Sequence, residues 1–219
     1  MRHLIPLGLV LSMIAVNAHA DEWPESFARE GECAVCTVRG ANHGNEEFVA
    51  FRTLDDAHYG FCSDGCAQAF DQMPGGYTPP VLPRPAPGFE WTALDGASIT
   101  PTGQRALLVD FWATWCTPCI AAMPELEELA RNFADDGLRI VGVSIDEERA
   151  KVDAFLAKRP LDYPVVHDGG EDPAWWQFQV PVIPAAYLLD GEGNVVAQWR
   201  SAFDEDEVRA QVESLLGSE

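Results

Sequence analysis

The sequence Trp115-Cys116-Thr117-Pro118-Cys119 places two thiols three residues apart, directly after an apolar run at 107–112. A cysteine at the start of a helix lies near the positive end of the helix dipole, which favours the thiolate over the thiol. The thiolate is the form that attacks a disulfide, and the second cysteine can resolve the mixed disulfide that results. The motif therefore predicts dithiol–disulfide exchange; the alternative for this pair is a structural disulfide.

Four further cysteines fall into two close pairs, Cys33/Cys36 and Cys62/Cys66, with 25 residues between the pairs. Two such pairs can bring four thiolates around one ion in the tetrahedral geometry that zinc requires, and soft thiolates also suit Cu(I). The alternative is disulfide bonding, within each pair or between the pairs, because small exported modules commonly use disulfides.

Asp110 interrupts an otherwise apolar run at 106–112, which has the pattern of a strand that is buried on both faces. A carboxylate in such a place is costly unless it is paired, because burial disfavours the charged form. Asp110 is therefore expected to be protonated or to have a function.

The elements around these residues alternate between strand and helix. The expected strands are 106–112, 138–145, 163–167, 185–189 and 195–199, after a hairpin made of 89–94 and 98–100. The expected helices are 117–134, 147–158, 173–178 and 205–216, with Pro124 bending the first and Gly137 closing it. This order, β-α-β-α-β-β-α, predicts an α/β fold in which helices cover a mixed sheet.

Composition divides the chain into four parts. Residues 1–20 have the features of a cleaved export signal, namely a basic start at Arg2, a short apolar core and a small-x-small site at Ala18-His19-Ala20. Residues 74–88 contain six prolines and three glycines, so an extended spacer without a helix or a central strand is expected there. The spacer separates a cysteine-rich module at 21–73 from a larger domain at 89–219.

Charge and hydropathy argue against several classes of partner. The formal net charge is −21, and such an acidic surface disfavours nucleic acid and anionic membrane surfaces. The apolar core of the signal is shorter than the roughly 20 residues that a membrane-spanning helix needs, so no stable membrane insertion is expected. The mature chain is expected to be a soluble periplasmic or otherwise exported protein.

The larger domain resembles the thioredoxin superfamily, specifically its exported TlpA/ResA-like branch. The resemblance covers residues 85–217 and is carried by the run from Val109 to Cys119, by Met123-Pro124, by residues 141–146 and by Ile183-Pro184 before a strand. It implies a thioredoxin-like mixed sheet flanked by helices, and a redox site that needs no cofactor.

The resemblance also implies a role for each residue of the site. Cys116 is the exposed nucleophile and Cys119 the more buried resolving thiol, which agrees with their places on the helix. Trp115 is expected to cover the pair. Pro184 matches the family's cis-proline, which lies against the active-site disulfide and lets the backbone of Ile183 pair with an extended substrate segment. The resemblance favours a reductase of protein disulfides that is re-reduced by a membrane thiol transporter of the DsbD type.

Two places differ from the family pattern. Asp110 resembles thioredoxin's buried aspartate, which helps to move the proton of the resolving cysteine. TlpA/ResA-like proteins often place a glutamate three residues beyond the second cysteine, but that position is Ala122 here. The expected proton-handling group is therefore of the thioredoxin type. Val182 and Ala185 stand around Pro184 where relatives often carry glycine and threonine, which predicts a stiffer and less polar loop.

The N-terminal module resembles the TRASH/YHS-type metal-binding domains. The run from Tyr59 to Phe70 matches their Tyr-x-Phe-Cys-Ser-x-x-Cys-x-x-x-Phe signature throughout. The resemblance implies a small zinc-ribbon or treble-clef-like module that handles zinc or copper, with Cys33, Cys36, Cys62 and Cys66 as ligands. The chain is thus expected to be an exported thiol–disulfide oxidoreductase coupled to a metal-binding module. The alternative is a zinc or copper chaperone or sensor whose thioredoxin-like domain keeps its own cysteines reduced.

Overall fold

The computed structural model of the protein describes residues 23–41, 43–201 and 204–217. The predicted export signal at 1–20 lies outside the described residues. Within the described part of the chain, no helix is both long enough and apolar enough to span a membrane.

The N-terminal part of the chain forms a small unit of short elements around the four cysteines. Its strands are β1 Glu30–Gly31, β2 Glu46–Glu47, β3 Ala50–Leu54 and β4 Ala57–Phe61, and its helices are α1 Ala34–Val38, α2 Asp64–Gln72 and α3 Pro74–Tyr77. β3 and β4 pair antiparallel as a hairpin. Ser63 caps α2, because its hydroxyl accepts a hydrogen bond from the backbone amide of Cys66. Val35, Phe61 and Phe70 lie in a hydrophobic core that belongs to this unit.

The remainder of the chain forms the larger domain. Its strands are β5 Arg84–Pro85, β6 Trp91–Thr92, β7 Ser98–Ile99, β8 Ala106–Trp112, β9 Leu138–Ser144, β10 Val165–His167, β11 Ala185–Asp190 and β12 Asn194–Arg200. Its helices are α4 Thr117–Phe133, α5 Arg149–Leu156, α6 Ala174–Gln177 and α7 Glu205–Leu216. Every strand and helix that the sequence predicts for this domain is present.

The main sheet has six strands in the order β10-β9-β8-β11-β12-β5. β8, β9 and β10 run parallel, whereas β11 pairs antiparallel with β8, and β12 pairs antiparallel with β11. The predicted mixed α/β sheet is therefore confirmed. Because β8 lies inside the sheet, the strand that leads to Cys116 is hydrogen-bonded along both of its edges.

All seven residues of β8 are buried, and their side chains alternate between two hydrophobic layers. Positions 107, 109 and 111 face one layer. Leu108 faces the other, where residues of α4 and α7 cover the sheet. Because side chains alternate along a strand, Asp110 and Trp112 share the face of Leu108.

Helix α4 begins at the redox motif. Pro118 lies in its first turn, where a missing amide hydrogen costs little because the first amides of a helix have no intrahelical partner. Pro124 lies inside the helix, as predicted, and removes one backbone hydrogen bond there. Gly137 follows with a φ of +97°, a conformation that glycine adopts at little cost.

The proline-rich segment 74–88 differs from the extended spacer that the sequence predicts. Pro74–Tyr77 form the helix α3, because proline suits a first helical position and Gly76 and Tyr77 are buried. Arg84–Pro85 pair with β12 at the edge of the main sheet, where proline is tolerated. The prediction that this segment contains no helix is wrong, and the prediction that it contains no central strand is confirmed.

The two units touch through side chains as well as through this segment. The guanidinium of Arg200, at the end of β12, donates hydrogen bonds to the backbone carbonyls of Gly75 at 3.0 Å and Thr78 at 3.1 Å. Trp175, in α6, packs against the core of the N-terminal unit and against the core of the larger domain. The N-terminal unit therefore lies beside the edge of the larger domain that carries α6.

Candidate active site and cysteine cluster

Cys116 and Cys119 form a disulfide at the N-terminus of α4. Cys116 is the N-cap residue, and its sulfur accepts a hydrogen bond from the backbone amide of Cys119 at 3.3 Å. Amides at a helix start stabilise negative charge, so the same contact would favour a thiolate at Cys116 after reduction. The two cysteines of the predicted redox motif are thus bonded to each other where a buried strand leads into a helix.

The sulfur pair is more buried than the sequence predicts. Cys116 is 5% exposed and Cys119 is 2% exposed, so the expectation of an exposed nucleophile is wrong for this disulfide form. The reason is packing: the pair lies in one cluster with Trp112 and Met123, and Ile183 packs against that cluster. Cys119 is nevertheless the more buried of the two.

An apolar groove of about 480 Å³ lies next to the redox motif. Its walls are formed by Trp115, Ile145, Glu147, Trp175, Val180, Pro181, Val182 and Ile183. Trp115 is 65% exposed, so most of its indole is available to a bound molecule. Its role as a cover over the cysteine pair stays a prediction.

The peptide bond between Ile183 and Pro184 is cis, as the resemblance implies. Pro184 is buried and leads directly into β11, which pairs with β8. The proline loop and the redox motif therefore lie at the same end of the sheet. A second cis bond, between Leu82 and Pro83 in the proline-rich segment, was not predicted.

Asp110 lies on the face of β8 that α4 covers and is 2% exposed. Its neighbours in register are two small residues, Gly142 on β9 and Ala186 on β11. Burial raises the pKa of Asp110 to about 7, because a low-dielectric interior disfavours the carboxylate. Such a group can take up or release a proton near neutral pH, which Ala122 cannot do.

A buried hydrogen-bond network that the sequence did not reveal as a site fixes the loop before Cys116. Asp146 is 1% exposed. It accepts hydrogen bonds from the backbone amide and the hydroxyl of Thr114, at 2.8 and 2.6 Å. It also accepts one from the hydroxyl of Ser144 at 2.8 Å. The sequence does contain a signal for this network, namely the acid Asp146 shortly after a buried strand and Thr114 just before the redox motif.

The four N-terminal cysteines converge into one group, the cysteine cluster, formed by Cys33, Cys36, Cys62 and Cys66. Their sulfur atoms all lie within 4.8 Å of one another, and none of them is in a disulfide. The Sγ–Sγ distance is 3.6 Å for Cys36–Cys62 and 3.8 Å for both Cys36–Cys66 and Cys62–Cys66. A tetrahedral zinc ion with Zn–S bonds of about 2.3 Å requires sulfur atoms about 3.8 Å apart. The cluster could therefore hold a metal ion of this kind.

The backbone places the thiols of the cluster in different electrostatic surroundings. Cys33 directly precedes α1, Cys36 lies within α1, and Cys66 lies in the first turn of α2. Burial raises the pKa of Cys33, but hydrogen bonds from the backbone of Cys62 and Cys36 lower it by more, so its pKa is lowered overall. Burial and then the Cys33 thiol raise the pKa of Cys62 to about 11. Burial and the Cys62 thiol raise the pKa of Cys36 as well.

The larger domain is similar in sequence to known redox proteins. Residues 83–198 match the family described as AhpC/TSA. The thiol-disulfide oxidoreductase ResA of Bacillus thuringiensis (strain Al Hakam) is 32% identical over 117 residues, which cover 52% of this chain and 67% of that protein. ResA of Geobacillus thermodenitrificans (strain NG80-2) is 27% identical over 132 residues, which cover 59% of this chain and 75% of that protein.

Solved structures share the fold. The thioredoxin domain of a thiol-disulfide oxidoreductase from Bacteroides vulgatus superposes with a TM-score of 0.54 at 26% identity, covering 63% of this chain and 99% of that one. StoA from Bacillus subtilis superposes with a TM-score of 0.52 at 20% identity, covering 61% of this chain and 100% of that one. The chain therefore belongs to the AhpC/TSA family, and it is a thiol–disulfide oxidoreductase with a thioredoxin-like fold.

Proposed function

We propose that this protein is an exported reductase of protein disulfides that carries a metal-binding cysteine module at its N-terminus. The observation that carries the proposal is the Cys116–Cys119 pair at the start of α4, near the cis bond at Pro184 and an apolar groove. In this proposal the module occupies residues 21–73, the spacer 74–88 and the catalytic domain 89–219.

In the proposed reaction, the Cys116 thiolate attacks one sulfur of a substrate disulfide, and the other substrate sulfur leaves as a thiolate that takes a proton from water. The Cys119 thiol then loses its proton to the Asp110 carboxylate. The resulting Cys119 thiolate attacks the Cys116 sulfur, which closes the enzyme disulfide and releases the second substrate sulfur. The enzyme dithiol is oxidised, and the substrate disulfide is reduced.

The groove supports an extended protein segment as the substrate. Ile183 precedes the cis-proline and lines the groove, which supports a pairing of its backbone with such a segment. Trp115 and Trp175 add aromatic surface to the walls, and Glu147 is the acidic residue among them. Residues next to the substrate cysteine are therefore expected to be apolar.

Export is proposed from the features of residues 1–20. In an exported location the enzyme disulfide needs a source of electrons, and a membrane thiol transporter of the DsbD type is the proposed donor. N-terminal sequencing of the protein recovered from the periplasm tests the export step. A chain that begins at Asp21 is expected, and a chain that keeps Met1 in the cytoplasmic fraction would contradict it.

Reduction of insulin by the mature chain tests the catalytic proposal. With dithiothreitol as the electron source, the wild type is expected to reduce insulin disulfides and Cys116→Ala is expected to fall to the background rate. Cys119→Ala keeps the attacking thiol but cannot resolve the mixed disulfide between Cys116 and insulin. This covalent complex should therefore accumulate on a non-reducing gel. Cys62→Ser is the control, because it removes a thiol outside the redox pair. Normal turnover by Cys116→Ala would overturn the proposal.

Metal binding is proposed from the four free thiols of the cysteine cluster and from their separations. Thiolate sulfur and tetrahedral spacing favour zinc, and Cu(I) is the other soft ion that these ligands suit. When bound, a structural ion contributes its binding free energy to the folding of a small unit.

Metal analysis of the anaerobically purified chain tests whether the cysteine cluster binds a metal ion. One ion per chain is expected in the wild type and in Cys116→Ala, whereas Cys62→Ser is expected to lose it. A protein without metal, in which all four N-terminal cysteines are oxidised, would contradict metal binding.

A second candidate function is a metal chaperone or sensor whose thioredoxin-like domain keeps its own cysteine cluster reduced. Trp175 favours such coupling, because it packs against the N-terminal core and also lines the groove next to the redox motif. This function is supported if the wild type fails to reduce insulin while its N-terminal thiols oxidise in air more slowly than those of Cys116→Ala. Equal oxidation rates would exclude it.

A further inference from the structure

Three polar groups lie in the otherwise apolar layer between the main sheet and α4. They are the carboxyl group of Asp110, the indole N–H of Trp112 and the hydroxyl of Tyr163. The indole nitrogen and the Tyr163 hydroxyl are buried and have no hydrogen-bond partner among the described residues. Buried polar groups are normally paired, in many proteins through a buried water that contacts several of them.

Gly142 brings these groups together. It pairs in register with Asp110 on the neighbouring parallel strand. A Cβ atom at this position would lie 3.0 Å from Nε1 of Trp112 and 3.1 Å from Cε2 of Tyr163. The lack of a side chain therefore lets the Trp112 indole and the Tyr163 ring pack closely against the strand at the residue that pairs with Asp110.

Tyr163 also lies within reach of the charges of several acidic and basic groups. Burial, then the charge of Asp110 and then that of Glu127 raise the pKa of Tyr163, and the charge of Arg159 opposes them. Glu127 on α4 accepts a hydrogen bond from Arg159 at 3.3 Å, and their side chains are 16% and 31% exposed. Cys119, also on α4, packs in one cluster with Trp112. Tyr163 therefore lies near a buried acid and near an ion pair that reaches solvent.

We propose that Tyr163 is a positioning residue for proton transfer at Asp110: its hydroxyl and the Trp112 indole N–H hold one water on the Asp110 carboxyl group. The inference rests on the proposed function, in which Asp110 receives the proton of the resolving thiol.

The Cys119 thiol gives its proton to the Asp110 carboxylate, which becomes neutral while Cys119 becomes a thiolate. The water accepts hydrogen bonds from Tyr163 and Trp112 and donates one to the carboxylate, so the water and Tyr163 end unchanged and no electron moves.

Tyr163→Phe tests the inference, because it removes the hydroxyl and keeps the ring. In the oxidised protein, the titration midpoint of the Asp110 carboxyl carbon, followed by NMR, is expected to move to higher pH, since the carboxylate loses a hydrogen-bonded partner. The attack of Cys119 on the mixed disulfide should slow roughly tenfold, which is less than the hundredfold or more that a direct general base supplies.

Tyr187→Phe is the matched control, because it removes a buried tyrosine hydroxyl from the opposite face of the same sheet. It should leave both the midpoint and the rate unchanged. An unchanged midpoint in Tyr163→Phe, or an equal shift in Tyr187→Phe, would overturn the inference. The NMR titration needs no turnover, so it decides the inference even if the wild type fails to reduce insulin, a result that overturns the proposed function instead.

Discussion

The ionisation of Asp110 follows from its place in the sheet. The residue is 2% exposed, and burial raises its pKa to about 7 in the folded protein, whereas the unfolded chain has the ordinary value of about 3.9. Between these two values, the folded protein keeps a proton that the unfolded chain has lost. The free energy of unfolding therefore falls as the pH rises through this window, by about 4 kcal/mol in total, and is then constant at higher pH.

Asp110→Asn removes this titration and preserves the shape of the side chain. Relative to the wild type, the free energy of unfolding of the variant is expected to rise by about 3–4 kcal/mol between pH 4 and pH 8. Urea unfolding at both pH values measures the difference. Burial and the neighbouring Glu205 also raise the pKa of Glu125 to about 7. Because Glu125 titrates in both proteins, its contribution cancels from the difference in free energy of unfolding. A difference that does not change with pH would contradict the burial argument.

The ends of three strands hold the redox motif. β8 leads into Cys116, β9 ends at Ser144, and β11 begins directly after Pro184. Asp146 ties the first two strand ends together through its hydrogen bonds with Thr114. The position of the nucleophile therefore depends on a network that contains no redox-active group.

Asp146→Ala tests this dependence. The substitution leaves the partly buried amide of Thr114 and the buried hydroxyl of Ser144 without their acceptor, so the free energy of unfolding is expected to fall by about 2–4 kcal/mol. Urea unfolding measures the loss. Glu147→Ala, at the exposed next position, is the control and should stay within about 0.5 kcal/mol of the wild type. Equal losses in the two variants would show that the network does not hold the loop.

Long elements could be predicted from the sequence, because burial on one or both faces gives them a regular apolar pattern. β8 and α7 have the predicted bounds. Helix α1 was not predicted, because it has five residues and no side-chain cap at Cys33. Helix α3 was not predicted either, since the burial of Gly76 and Tyr77 is a tertiary effect that opposes the low helix propensity of a Pro-Gly-Gly sequence.

The same distinction applies to the candidate site. Cys116 and Cys119 could be found because their chemistry lies in a local motif. Tyr163 and Asp146 could not be assigned, because they reach the site only through the strand order β10-β9-β8, which joins distant parts of the chain. The burial of Cys116 also depends on Ile183, a residue more than sixty positions away in the sequence.

In the molecule as a whole, the N-terminal unit and the larger domain meet beside the groove. Arg39 donates a hydrogen bond to the Tyr77 hydroxyl at 2.7 Å, and these two residues line a second cavity of about 140 Å³. Trp175, Val180 and Pro181 line both this cavity and the groove. The wall of the groove is therefore shared with the junction of the two units.

Arg200→Ala tests what fastens the units to each other. The substitution removes the donors to the carbonyls of Gly75 and Thr78, and each charged hydrogen bond is worth about 1.5–3 kcal/mol. Deuterium exchange at the amides of 75–78 is therefore expected to become at least roughly tenfold faster. Arg84→Ala is the control, because Arg84 lies on β5, which pairs with β12 at the edge of the main sheet. Unchanged exchange in Arg200→Ala would show that other contacts hold the junction.

The packing of Trp112 also determines how the enzyme can be observed. Its indole is fully buried in the cluster that contains the Cys116–Cys119 disulfide. A disulfide close to an excited indole accepts an electron from it and quenches its fluorescence, whereas thiols quench it less. The emission of Trp112 should therefore brighten when the enzyme is reduced. Such a change would serve as an optical indicator of oxidation state and would allow turnover to be followed without a label.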